Sequence, residues 1–131
     1  MGHANFHNPL TLDPDGLTVD AWGPNDWEPG DAWMEVSAVT ITQGDVVAWS
    51  EGTKNVDITE ENWWLKATAD RPLRTGHATA EAIAIIHSQD GDVVRYPWSE
   101  RVWLEEAPEA PERETRSRKK DYATARRRRR T

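Results

Sequence analysis

The chain has 131 residues, 37% hydrophobic and 30% charged, with 16 Lys/Arg against 23 Asp/Glu and a net charge of −7. It contains no cysteine, which excludes disulfide staples and thiolate metal sites and makes a reducing compartment the expected setting. No run approaches the roughly 20 apolar residues of a membrane span, and the N-terminus lacks the basic and apolar regions of a secretory signal. The expected location is therefore the cytoplasm or a virion assembled inside a cell, with no membrane partner.

The charge is divided unevenly. Residues 111–131 hold ten Lys/Arg and three Asp/Glu, which makes this segment +7; residues 1–110 hold the other six and 20, which makes them −14. A body of that sign repels polyanions, and the C-terminal segment attracts them.

Residues 1–32 show no sustained period of 2 or 3.6. They carry Pro9, Pro14, Pro24 and Pro29 and turn signals at Asp15-Gly16 and Pro29-Gly30. Leu10, Leu12, Leu17, Val19, Trp22 and Trp27 are too large and apolar for a disordered segment. The expectation is an extended N-terminal arm anchored by Trp22 and Trp27, lying on its own core or on a neighbouring subunit. Asp13-Pro14-Asp15-Gly16 resembles half of a calcium loop but lacks the remaining ligands, so it reads as a turn.

Residues 33–106 read as a β core. Val39-Thr40-Ile41-Thr42 alternates, Gln43-Gly44-Asp45 turns the chain, and Val46-Val47-Ala48-Trp49 resumes as a strand. Trp63-Trp64-Leu65-Lys66-Ala67-Thr68 supplies another strand. Adjacent strand residues face opposite sides, so one of Trp63 and Trp64 fills the core and the other is at least partly exposed, as cover for the arm or as a stacking or interface surface. Residues 78–87 have the propensity of a short helix, but the β-branched residues increasing toward Asp90-Gly91 favour a strand. Asp90-Gly91 then predicts a hairpin pairing Gln89 with Asp92, His87 with Val94 and Ile85 with Tyr96. The last strand is expected at Arg101–Leu104, after a break at Pro97-Trp98-Ser99. Eight tryptophans, each able to bury on the order of 150–250 Å², are expected to supply much of the burial.

Several short strands, one strong hairpin and about 70 residues predict a mainly β fold, a small SH3-like or OB-like barrel. The stretches "ITQGDVVAW" and "SQDGDVVRYPWSERVWLEE" resemble small uncharacterised β-barrel proteins of actinobacterial phages and plasmids. That resemblance covers about half the core and implies a phage or mobile-element protein. It assigns no residue a role.

Residues 107–131 read as a Pro-spaced linker and an Arg-rich tail, disordered in isolation or ordered by a partner. The expected contact residues for a nucleic-acid backbone or an acidic protein surface are Arg116, Arg118, Lys119, Lys120, Arg126, Arg127, Arg128, Arg129 and Arg130. A guanidinium pairs bidentately with phosphate, and contacts of that kind carry no base sequence. The core has only Lys54, Lys66, Arg71, Arg74, Arg95 and Arg101, which argues against nucleic-acid recognition by the barrel itself. No phosphate-binding glycine loop, nucleophile elbow or zinc-hydrolase helix is present. His3, His7, His77 and His87 form no metal-ligand pattern. Catalysis, metals and cofactors are thus not expected. The expected function is a structural or interaction protein, a subunit of a homo- or hetero-oligomeric phage or mobile-element assembly. The alternative is an accessory nucleic-acid-binding module.

Overall fold

Residues 78–86 read Ala-Thr-Ala-Glu-Ala-Ile-Ala-Ile-Ile, and every second position from Ala78 to Ile86 is buried while those between are not. That period of two belongs to a strand, and it overrides the helical propensity of the alanines. The computed structural model describes residues 1–107, and there these residues lie within a 13-residue strand, as expected.

The strands are β1 (His3–Ala4), β2 (Leu10–Leu12), β3 (Thr18–Asp26), β4 (Asp31–Gln43), β5 (Val46–Trp49), β6 (Thr53–Asp57), β7 (Asn62–Ala69), β8 (Gly76–Ser88) and β9 (Val93–Glu106). Seven close into a barrel in the order β3-β2-β9-β8-β4-β5-β7, with β7 returning to β3. The pairings are antiparallel except β2 with β9. β1 adds to β3, and β6 adds to the first half of β4. Among the described residues, no helix is long and apolar enough to cross a membrane.

β4 changes partner along its length. Residues 33–37 pair with β6 and residues 40–43 with β5. The handover occurs at a register shift between Ser37 and Thr40, where Ala38 takes a φ of 56°. The Val39 N–H donates to Ser50 Oγ at 3.0 Å, and the Ser50 N–H returns a bond to the Val39 carbonyl at 2.9 Å. A bulge of this kind bends a strand and increases its twist.

Three expectations are corrected. First, residue 32 is not a boundary. β2 and β3 are staves of the barrel, and β4 begins at Asp31, so residues 1–32 are part of the core rather than an arm laid upon it. Their period was hidden because β2 is only three residues long and β3 contains Gly23 and Pro24. Second, the β8–β9 register is one residue off the expected one: His87 pairs with Val93, and Ile85 with Arg95. The Ser88 N–H bonds to the Asp92 carbonyl (2.9 Å) and Gly91 takes φ 96°, so Gln89, Asp90 and Gly91 form a three-residue loop with glycine in the left-handed region. Third, Pro97 does not break the chain; β9 runs unbroken through it, with Pro97 opposite Ile83. Among the described residues, no strand flanks this stretch of β9 on the side away from β8, because β2 reaches only Leu104–Glu106, so the missing N–H is tolerated.

Small side chains fill the interior. Leu10, Leu12, Val19, Val36, Val39, Ile41, Ile86 and Leu104 are fully buried beside a series of alanines, and Trp63 is the one buried tryptophan. Trp63 lies inside the ring, and other tryptophans add burial from outside it. A closed ring of this size leaves little interior room, and Trp22, Trp27 and Trp98 pack against the core only partly buried.

The open stretch of β9 is covered by the N-terminal segment. The Ala4 N–H donates to Tyr96 Oη, the Phe6 N–H to Glu100 Oε2 (2.9 Å) and the Trp103 N–H to Asn8 Oδ1 (2.8 Å). Burial pushes the Tyr96 phenol up to about 12; the Ala4 backbone bond opposes this, and the nearby Asp26 and Glu100 carboxylates add to it. The folded state thus holds this proton more tightly than the unfolded chain, whose phenol titrates near 10. Stability from this group is complete below pH 10 and is lost as pH rises toward about 12. Thermal melts across that window are expected to fall faster for the natural chain than for Tyr96→Phe. Parallel curves would contradict this role.

Candidate functional site

Alternation along β7 turns Trp63, Ala67 and Ala69 inward and Trp64, Lys66 and Thr68 outward. Trp64 is 57% exposed and Trp63 is fully buried, so the adjacent pair divides as expected. On β5 the same alternation buries Ala48 and leaves Trp49 47% exposed. β5 pairs with β7 only at Ala48–Ala69 and Trp49–Thr68. Beyond Trp49 the chain turns through Ser50–Gly52 into β6, which pairs with β4 instead. The wall therefore opens beside β7, leaving a groove of about 570 Å³ between Trp49 and Trp64. Glu51, Leu65, Lys66, Thr68, Ala69 and Asp70 complete its lining.

Two further groups shape this face. Lys54 places its ammonium 5.0 Å from the Trp64 ring centroid, a cation–π contact. Trp22 stands directly opposite Trp64 on β3, and His7 stacks on it at 4.1 Å and 16°. Lys54 and Lys66 are the only lysines of residues 1–107, and both stand beside Trp64. The sequence identified one exposed indole of the Trp63-Trp64 pair but not its companion. Trp49 ends an apolar run that reads equally well as core, and only the short β5–β7 pairing sets it across from Trp64.

Trp22 and Trp27 pack against the barrel of their own chain, and the Trp27 indole N–H donates to the Glu60 carbonyl at 2.8 Å. The nine basic residues Arg116, Arg118, Lys119, Lys120 and Arg126–Arg130 lie outside the described residues.

Polar groups elsewhere are engaged in holding the fold. His87 stacks on Trp33 at 3.8 Å and lies 2.7 Å from Glu35 Oε2, bracing β8 against β4. Asp31, buried at the start of β4, accepts bonds from the backbone N–H groups of Gly2 (3.0 Å) and Glu28 (2.9 Å). Asp31→Ala would leave those donors without their acceptor, and a cost of about 1–3 kcal/mol is expected in chemical denaturation. The Asp57 and Asp90 carboxyls are held below the usual range by the hydroxyls of Thr59 and Ser88, which donate to them within exposed turns. Asp13–Gly16 is a turn closed by the Gly16 N–H to the Asp13 carbonyl at 2.8 Å. Among the described residues, no group of three or more His, Cys, Asp or Glu is placed to hold a metal ion.

No protein-family model matches this chain. No curated protein matches it. Nine chains of solved structures match. One is murine CRIg, similar at 14% identity and a TM-score of 0.43, over 82% of this chain and 99% of that one. A likeness of that degree carries nothing about function.

Proposed function

We propose that this protein is a non-catalytic interaction protein, a subunit of a larger phage or mobile-element assembly. Its rigid barrel meets partners through an outer face, and its basic C-terminal segment meets an acidic neighbour or nucleic acid. The observation that carries this reading is the exposure of Trp49 and Trp64 on paired strands of a rigid sheet, flanking an open groove. Indoles that burial in their own core would stabilise are here held outward, and exposed tryptophans of this kind are favoured anchors in protein interfaces. Histidines and buried carboxylate brace strands and termini, which fits a structural protein.

The test compares the full chain with residues 1–107. That cut leaves the barrel complete, including the Ala107 N–H bond to the Leu12 carbonyl at 2.8 Å. The full chain is expected to form larger species in light scattering and the truncation to reduce them, while Trp49→Ala/Trp64→Ala is expected to weaken binding of a partner at the tryptophan face. A strict monomer that binds neither nucleic acid nor an acidic partner at low salt sinks the proposal.

The charge of residues 111–131 favours a second reading, an accessory nucleic-acid-binding module. If about seven of those cations neutralised phosphates, affinity for duplex DNA would fall with a log–log salt slope near −6. Loss of that binding on truncation, with assembly unchanged, selects this reading over the first.

A further inference from the structure

We propose that the groove between Trp49 and Trp64 binds a neutral oligosaccharide. This rests on reading the tryptophan face as an interaction surface and names what that surface takes. The charges around the groove select the occupant. Glu51 and Asp70 line it, Lys66 lines it, and Lys54 stands over Trp64, so two carboxylates are balanced by two ammonium groups. A polyanion would meet both carboxylates with a body of −14 behind them, and a polycation would meet both lysines. A neutral polyhydroxylated ligand meets neither penalty. Its hydroxyls donate to carboxylates and accept from ammonium groups, and the C–H faces of its rings lie flat on indoles.

The backbone of β7 adds neutral hydrogen-bonding groups. The Asn25 N–H donates to the Glu61 carbonyl and the Ala69 N–H to the Leu17 carbonyl, so the odd-numbered residues of this strand address β3. The peptide groups of Trp64 and Lys66 then turn toward the opposite edge. Thr68 meets Trp49 on that edge, and among the described residues no strand pairs further along it. Donors and acceptors therefore lie between the two indoles. Trp49 is registered with Thr68, four residues along β7 from Trp64. At 3.3 Å per residue the indoles are offset by about 13 Å along the strand, longer than a single sugar ring. The site suits an oligosaccharide rather than a monosaccharide.

The test titrates the full chain with neutral hexasaccharides of glucose, N-acetylglucosamine, mannose, galactose and xylose, read by tryptophan fluorescence and calorimetry. At least one is expected to bind with a dissociation constant of about 10 µM to 1 mM, unchanged by added salt, because no net charge is neutralised. Trp49→Ala and Trp64→Ala should each weaken binding about tenfold or more, roughly the loss of one stacking platform. Trp64→Phe should retain part of the affinity. Trp103→Ala, exposed on β9, should leave it unchanged. Melting curves of each variant separate lost binding from lost folding.

Absence of binding by every sugar up to about 10 mM, or binding unaffected in both alanine variants, overturns the saccharide assignment. Salt-sensitive binding of oligothymidylate, or self-association, that is lost in Trp64→Ala overturns it too while leaving the interaction surface standing. If neither alanine variant alters any association of the chain, the interaction surface fails with it.

Discussion

Gly23→Ala is expected to destabilise the barrel by about 3–5 kcal/mol, the sum of an overpacking penalty and the loss of two or three backbone-dependent hydrogen bonds. A Cβ at Gly23 would lie 1.9 Å from the Asn5 carbonyl oxygen and 2.8 Å from the His7 nitrogen. Both atoms are backbone, so no side-chain rotation relieves the contact. The N-terminal segment would have to lift from β3, breaking the Asn5 N–H bond to the Pro24 carbonyl (3.1 Å) and the His7 N–H bond to the Trp22 carbonyl (2.7 Å). It would also draw the Asn5 carbonyl away from the Trp63 indole N–H, now 2.7 Å distant. Urea denaturation measures the effect. Gly44→Ala is the control: nothing lies within 4 Å of a Cβ there, and its φ of 61° should cost only about 1–2 kcal/mol. Equal losses at the two sites would show that the N-terminal segment does not pack as described.

Trp63→Ala is expected to cost about 3–5 kcal/mol, as for other large aromatics removed from a core. The indole is fully buried, with Phe6 edge-on at 5.4 Å and Trp98 edge-on at 6.0 Å. Removing it opens a cavity under the N-terminal segment and strips the Asn5 carbonyl of a donor. Trp64→Ala, one residue away, should cost about 1 kcal/mol or less because its side chain mostly faces water. Trp63→Ala thus reports on the fold and Trp64→Ala on binding. Similar losses of stability in both variants would contradict the assignment of faces.

The strands were legible where β-branched residues gather beside a turn signal. Ala78 to Ile86 before Asp90-Gly91 and Val39 to Trp49 around Gly44-Asp45 show this, and Trp63-Trp64 adds that neighbours on a strand must part to opposite faces. Residues 1–32 were not legible as barrel strands. β2 is too short to display a period, and the burial of β3 at Gly23 is set by a backbone contact that no hydropathy pattern records. The β8–β9 register was missed by one residue because Asp-Gly serves both two- and three-residue loops, and the bond from the Ser88 N–H to the Asp92 carbonyl selects the longer one.

The groove was only half legible. Strand alternation alone requires that one of Trp63 and Trp64 be at least partly exposed. That Trp49 faces it, and that Lys54 and Lys66 converge on it, depends on where β5 leaves β7 and β6 turns to β4.

By itself, then, the sequence determined a mainly β chain, the places of the turns at Gly44-Asp45 and Asp90-Gly91 and the charge contrast between body and C-terminal segment. Those follow from side-chain period, turn chemistry and composition, all of which are local. Ring closure, the incorporation of the N-terminal strands and the pairing of two distant indoles across one groove were decided only by the tertiary structure. They depend on which strand edges meet, and strand pairing joins residues that local pattern cannot relate.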